Sequence, residues 1–473
     1  MNRYPQPEAV FRYFTALSEI PRGSGNTAAV SAWALKTAQN LSLEAYADET
    51  GNVIIRKPAS AGYEQHPGVI LQGHLDMVCA KLPDCTKDMT KEGVDLIWGD
   101  EFLSADGTTL GGDDGIAVAY AFAILEDQNI LHPPLTVILT IDEETGMDGA
   151  TALCPDALTG QYLINIDSED EGIFTVGCAG GVRVHMRYPL QMQQTSGTCF
   201  RLTLSGLTGG HSGTEIHKPL LNANLVMHRL LTAPTEQISL CAWQGGIRDN
   251  VIPTECTAAF IAAPEHVSAI RRTIEVTFSR IKAENPQENS IALQIETVPE
   301  TDVPAAADTA GLLCQIGELP NGMQEMNPHL NLPETSLNLG IFALQDAVLQ
   351  IDALIRSGSN AKRDALAEKL HAHVEAAGGS ASDSGKYPAW EYVPDTALEQ
   401  TAAAVFRALY GKAPVIETIH AGLECGILAA KAPQLQCISI GPDLFDIHTP
   451  RERLSLASAR RTWDLILALL KAL

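Results

Sequence analysis

A chain of 473 residues, 45% apolar and 19% charged, is long enough for two or three cores and too apolar to be disordered. Its formal net charge of −25 excludes nucleic acid and anionic membrane surfaces as partners, since both would repel it. The ten cysteines are scattered without a Cys-x-x-Cys pair, so they read as reduced core residues of a cytoplasmic protein. Val10, Phe11, Phe14 and Leu17 form an amphipathic pattern where a leader peptide would carry a basic stretch and an apolar core. No apolar run approaches the ~20 residues that a membrane span requires.

Helices are predicted over Glu8 to Ile20 and Thr27 to Asn40, the second capped by Asn26. Strands follow at Leu43 to Ala47 and Asn52 to Lys57. Val69 to Leu71, Leu135 to Ile141 and Tyr162 to Ile166 are short apolar strands, and each ends at a polar cluster. The clusters are Gly73-His74-Leu75-Asp76, Asp142-Glu143-Glu144 and Asp167. Open α/β sheets place their ligands at the C-terminal ends of strands, so one shared site is expected.

From about Arg183 to Lys386 the pattern changes to longer strands and isolated helices, among them Leu220 to Leu231, His266 to Ile281 and Arg363 to Ala377. This reads as a second, α+β domain (183–387) inserted into the first (1–182 and 388–473). The Gly- and Ser-rich run Gly378 to Gly385 is the expected linker back. After Pro388 the alternation returns, with helices at Thr396 to Leu409, Glu424 to Ala430 and Leu456 to Leu470, and strands at Val415 to Ile419 and Leu435 to Ile440.

The chain is organised around Gly111-Gly112-Asp113-Asp114-Gly115, two carboxylates in a glycine-rich turn ahead of the apolar run Ile116 to Leu125. A carboxylate there can reach two cations at once. Each cluster alone has an ordinary reading: helix-terminal acids for Asp113 and Asp114, a solvated acidic turn for Glu143 and Glu144, a structural histidine for His448. Their conjunction points to a two-metal hydrolase site bridged by Asp113. His74 and Asp76 share a face if the backbone is extended, so Asp76 could orient the imidazole. Glu143 and Glu144 cannot share one if extended, which suits one of them to metal and the other to water. Two histidines with carboxylates suit zinc better than magnesium, and cobalt or manganese would be tolerated. Two such ions activate a water and polarise a carbonyl, while a free carboxylate moves the proton.

These clusters, in this order, resemble the co-catalytic zinc peptidases, the family of peptidase T, peptidase V, acetylornithine deacetylase and aminoacylase. Within it, Leu110-Gly-Gly-Asp-Asp-Gly115, Asn165-Ile-Asp-Ser-Glu-Asp-Glu-Gly172, Gly209-Gly-His-Ser-Gly213 and His420-Ala-Gly-Leu-Glu-Cys-Gly426 are similar to the cytosolic aminoacyl-histidine dipeptidases. The match runs from Ile20-Pro-Arg-Gly-Ser-Gly-Asn26 to His448.

The resemblance implies an α/β catalytic domain, a mixed sheet with helices on both faces, and an inserted α+β lid. It implies two Zn²⁺, one on His74 and Asp167, the other on Glu144 and His448, with Asp113 bridging and a cis peptide after it. Asp76 would orient His74 and Glu143 would be the general base for a metal-bridged hydroxide. In the lid, His211 would donate to the oxyanion, Asn250 and Arg356 would bind substrate, and Gly422 would admit its backbone. The implied substrates are Xaa-His dipeptides such as β-Ala-His. Homodimerisation through the lid is also implied. Thr449-Pro-Arg-Glu452 departs from the Ser-Pro-Asp-Glu-like run expected beside His448. Rival readings are a broader dipeptidase or aminopeptidase, an N-acyl amino acid deacylase, a non-catalytic binding protein and a magnesium phosphohydrolase. The last is disfavoured by the two histidines and the lack of a basic phosphate cradle.

Overall fold

The computed structural model describes residues 4–234, 237–328 and 332–473. They form two compact units. Unit 1 comprises Met1–Cys178, Trp390–Thr418 and Leu423–Leu473, and unit 2 comprises Ala179–Ala389 and Ile419–Gly422.

Unit 1 is built on an eight-stranded mixed sheet. In spatial order its strands are Glu44–Ala47, Val53–Lys57, Leu135–Thr140, Val69–His74, Tyr162–Asn165, Gln436–Ser439, Ile173–Cys178 and Val415–Ile419. The four central strands, Leu135–Thr140 through Gln436–Ser439, run parallel, and antiparallel strands flank them. Buried on both faces, the central strands carry near-continuous apolar runs, as parallel strands must. Helix Gly112–Glu126 is apolar all round, and every residue from Ile116 to Leu125 is buried, which makes it a core element with no solvent face. It approaches strand Val69–His74 closely because residue 73 is glycine. A Cβ there would lie 2.4 Å from Asp114 Oδ2 and 2.6 Å from Ala117 Cβ.

A small antiparallel sheet completes unit 1, its strands Leu444–Phe445, Arg453–Ser455, Phe102–Ala105 and Leu96–Trp98 in that order. None of these strands is foreshadowed in the sequence pattern. Their function is positional, because the hairpin loop between Phe445 and Arg453 carries both His448 and Glu452.

Unit 2 contains a nine-stranded antiparallel sheet whose edges are strands Ala292–Ala306 and Ser380–Tyr387. Its inward residues include Val182, Val184 and Met186, and Leu349, Ile351, Ala353 and Ile355. They pack with helices Ala223–Thr232, Val267–Glu284, Thr309–Gly317 and Asn360–Ala376 in one core. By the two-residue alternation of a strand, Arg183, His185, Ser336, Asp352 and Arg356 belong to the opposite, polar face. Helix Ala223–Thr232 is capped by Asn222, whose side chain accepts from Asn224 N and Leu225 N.

Three expectations are corrected. Gly378 to Gly385 is no linker: Ser380–Tyr387 is an edge strand paired with Gly180–Pro189. Its serines face solvent, so no apolar alternation marks it in the sequence. Asn26 does not cap the second helix; its side-chain amide donates to Thr90 O at 3.0 Å, and Thr27 occupies the cap without a side-chain bond. All ten cysteines are free thiols, but only Cys178, Cys256, Cys425 and Cys437 are buried, while Cys79, Cys154 and Cys314 are exposed. Among the described residues no helix is long and apolar enough to cross a membrane.

Candidate metal centre

The C-terminal ends of three neighbouring parallel strands deliver His74, the Asp142-Glu143-Glu144 segment and Asp167 to one place in unit 1. Asp113 joins them from the non-helical first turn of the buried helix Gly112–Glu126. His74 Nε2 lies 3.0 Å from Asp113 Oδ1 and 3.5 Å from Asp167 Oδ1. His448 Nε2 lies 3.0 Å from Asp113 Oδ2 and 3.0 Å from the Glu144 carboxylate. Asp113 thus offers one oxygen to each of two ligand sets. Ligand atoms of His74, Asp113 and Glu144 lie within 4.8 Å of one another, as do those of His74, Asp114 and Asp167. The Asp113–Asp114 peptide is cis.

Glu143 and Glu144 are not on extended backbone. They open the one-turn helix Glu143–Gly146, entered through Asp142 in the left-handed region at φ 53°. Asp142 is held there by Gly25 N–H, which donates to its carboxylate at 2.6 Å. His448 is likewise left-handed at φ 60°, in a turn that Thr449 closes by donating to Asp446 O at 2.7 Å. Non-glycine residues seldom adopt this conformation, and those that do concentrate at functional sites.

The supporting shell explains how the ligands are held. Asp76 Oδ1 lies 3.3 Å from His74 Nδ1. Asp76 also accepts from Ser24 Oγ at 2.7 Å, Glu143 N at 3.1 Å and Glu144 N at 3.3 Å. One buried carboxylate therefore anchors both the imidazole and the helix that carries the two glutamates. Glu452 accepts from Leu110 N, Gly111 N, Gly112 N and Asp113 N at 2.7 to 3.3 Å. Gly111 has φ +69°, and a Cβ there would lie 2.5 Å from the Arg22 guanidinium, so glycine is required on both counts. Arg22 is buried and donates to Leu75 O, Asp76 O and Gly111 O, tying the His74 strand to the Asp113 turn. Below the ligands, Gln72 donates to Glu424 and Asn165 donates to Gln72, each at 2.6 Å, which fixes the lateral spacing of the strands bearing His74 and Asp167.

The electrostatics set a test for bound cations. Burial opposes charge on Asp113, but the His448 and His74 rings hold its carboxyl below the usual range. Burial opposes a proton on His74, yet the Asp167 charge and bonds to Asp113, Asp167 and Asp76 push it well above an ordinary histidine. Bonds to Asp113 and Glu144 push His448 up to about 11. Burial raises Asp167 to about 6 and Glu169 to about 8. Burial, then the charges of Asp167, Glu424 and Glu144, raises Glu143 well above an ordinary glutamate. Every proton taken up here answers an excess of buried carboxylate, which is costly unless cations balance it. Arg22 alone cannot supply that balance, because its single positive charge faces the carboxylates of Glu452, Asp76, Asp114 and Asp113. The donor set, two imidazole nitrogens and carboxylates around a shared Asp113, fits two divalent cations. Asp76→Asn should lower cation affinity about 10- to 100-fold, as measured by competitive metal titration; unchanged affinity would show that Asp76 does not orient His74.

The remaining sequence-identified residues lie in unit 2. His211 Nδ1 accepts from Gly213 N at 3.3 Å and Thr214 N at 3.2 Å, which leaves its proton on Nε2 as an outward donor. Asn250 adjoins it, with Ser212 N donating to Asn250 O at 3.0 Å and His211 paired with Val251. Arg356 is buried and donates to Tyr387 OH at 2.9 Å. Gly422 ends the short segment Ile419–Gly422. Sequence reasoning missed Arg22, Ser24, Glu424 and the role of Glu452. Arg22 and Ser24 lie in a quoted motif, but their partners are more than fifty residues away.

Comparison with known proteins agrees with this architecture. The model of peptidase family M20/M25/M40 matches residues 70–472. The cytosol non-specific dipeptidase of Escherichia coli is 34% identical over 472 residues, covering 98% of this chain and 97% of that protein. The crystal structure of aminoacylhistidine dipeptidase from Vibrio alginolyticus has a TM-score of 0.90 at 33% identity, covering 99% of this chain and 97% of that one. Aminopeptidase PepT from Bacillus cereus, at 17% identity and TM-score 0.56, shares the fold over 98% of each chain. The α/β fold with an inserted α+β domain, expected from the sequence, is the fold of these proteins, and the chain belongs to the peptidase family M20/M25/M40.

Proposed function

We propose that this peptidase is a two-zinc dipeptidase acting preferentially on Xaa-His dipeptides such as β-Ala-His. The observation that carries the reading is the Asp113 carboxylate, with one oxygen 3.0 Å from His74 and the other 3.0 Å from His448. The dipeptide substrate is supported by the two relatives of near-equal length, whose names specify dipeptidases. The name of the Escherichia coli relative also supports a cytoplasmic setting.

His74 and Asp167 would hold one cation, His448 and Glu144 the other, with Asp113 between them. Zinc suits the mixed nitrogen and oxygen set best, and cobalt or manganese would be accepted. Bound there, the ions would supply Lewis-acid activation of the attacking water and the scissile carbonyl. Glu143 takes the proton from that water and passes it to the departing amine. Burial holds its pKa above that of an ordinary glutamate, which makes it a stronger base. Asp76 holds His74 and the Glu143 helix in register. His211 offers its Nε2–H to the developing oxyanion. Asn250 and the Gly422 backbone orient the peptide, and Arg356 takes its free carboxylate in a bidentate fork.

Hydrolysis of β-Ala-His, Gly-His, Leu-Gly and an N-acetyl amino acid by metal-stripped protein, with and without Zn²⁺, tests the reading. Zinc-restored cleavage centred on the histidine dipeptides is expected. Equal rates on Leu-Gly would make it a broad dipeptidase, and preference for the acylated amino acid would make it a deacylase. Homodimerisation through unit 2 is proposed alongside, and a monomer mass by light scattering would reject it.

A further inference from the structure

One polar cluster in unit 2 gathers a buried guanidinium and two imidazoles, and its nearby acid, Glu215, is engaged by His211 N and Lys218. Arg356 is 7% exposed, and its Nε is buried with no partner. A buried guanidinium N–H without an acceptor is costly, and the cost is recovered when an anion arrives. The neighbouring groups converge on a single point. A Cβ built on Gly213 would lie 2.4 Å from His420 O, 3.0 Å from His211 Cε1 and 3.1 Å from Arg356 Nε. Residue 213 must therefore be glycine, and the space its missing side chain leaves is walled by these three residues. Ser212, next in chain, is 2% exposed and its Oγ also has no partner.

His420 is the member that no role above has absorbed. It is 5% exposed, and its Nε2 lies 2.8 Å from Ser336 Oγ. Ser336 is the direct cross-strand neighbour of Arg356, which sets imidazole and guanidinium side by side on the polar face of the sheet. A hydrogen bond donated by Ser336 Oγ–H to Nε2 places the ring's own proton on Nδ1, the tautomer that the inference below requires.

We infer that His420 is a specificity-determining residue that donates, beside Arg356, to the C-terminal carboxylate of the substrate, with Ser336 as its positioning residue. The inference rests on the dipeptidase reading and adds to it a second donor at the carboxylate end. Burial and the charges of Arg356, His211 and His217 push the His420 pKa down to about 3. The ring is then a neutral donor throughout the working range and adds no charge repulsion beside Arg356. Glu215, the nearby acid, is already engaged by His211 N and Lys218. The pocket therefore takes a carboxylate and not a cationic side chain.

The test is the kinetics of zinc-loaded wild type, His420→Ala, His420→Gln and Ser336→Ala on β-Ala-His and on β-Ala-His amide. Binding of both compounds to the metal-stripped proteins is measured by calorimetry. His420→Ala should raise KM for the free acid about 10- to 100-fold, the loss of one hydrogen bond to a charged group. Its kcat should stay within about threefold, and the amide, bound poorly from the outset, should not change. His420→Gln keeps a donor and should recover part of the loss, and Ser336→Ala should fall between wild type and His420→Ala. An unchanged KM, or an equal rise for acid and amide, overturns the inference while leaving the dipeptidase reading intact. If wild type cleaves neither compound, the dipeptidase reading fails. Calorimetry then decides the inference: acid-selective binding lost in His420→Ala supports it, and no acid selectivity overturns it.

Discussion

Glu143→Gln should lower kcat on a dipeptide by ~10²–10⁴-fold while both cation sites remain filled. The carboxylate stands on the first turn of helix Glu143–Gly146, whose backbone is held by Asp76. Glutamine preserves that backbone bond and the side chain's volume, so the shell around His74 and Glu144 should not move. Only the capacity to take and return a proton is lost. Metal content by elemental analysis, taken beside the kinetics, separates this from a general collapse of the site. Retained turnover in a metal-replete variant would remove Glu143 from its role and shift attention to Glu169, a half-buried glutamate whose pKa is pushed up to about 8.

Glu452→Ala should be nearly as damaging, through structure. Four successive backbone N–H groups, from Leu110 to Asp113, have this carboxylate as acceptor. Hydrogen bonds to a charged group contribute about 1.5–3 kcal/mol each, and buried donors left unpaired add their desolvation. The bonds share one acceptor and do not add fully, so a stability loss of ~3–5 kcal/mol is expected, comparable to breaking a buried ion pair. Denaturant unfolding measures it. Below that threshold the Asp113 turn should loosen, and a shift of ~1 Å at a bridging ligand costs ~10²-fold in rate. A variant with wild-type midpoint and wild-type activity would show that the turn holds itself.

Much of the catalytic framework was legible in the sequence for a physical reason. Parallel strands buried on both faces must be short and apolar, so His74, Asp142 to Glu144 and Asp167 stand out as polar punctuation at their ends. Asp113 stands out because two carboxylates between glycines precede a helix with no polar face. What was hidden depends on long-range contact. Nothing local marks Arg22 as a strut between two loops, or Glu452 as an acceptor for a turn some 340 residues earlier. The departure at Thr449-Pro-Arg-Glu452 drew attention to that loop, but the residue that works structurally is the glutamate that did not depart. The serine-rich edge strand Ser380–Tyr387 was misread because an edge exposed on its side chains lacks the alternation by which strands are found. Glu143 and Glu144 stand on a single turn of helix, which is too short to leave a period in the sequence.

The most direct test of the central claim is a Zn²⁺ titration of metal-stripped protein, with bound metal and dipeptide hydrolysis followed together, in wild type and Asp113→Ala. The two-ion account predicts two equivalents per chain in wild type, full activity only as the second site fills, and loss of tight binding at both sites in the variant. Saturation of activity at one equivalent, or a variant that loses one ion and keeps the other with unchanged affinity, would contradict Asp113 as the shared ligand.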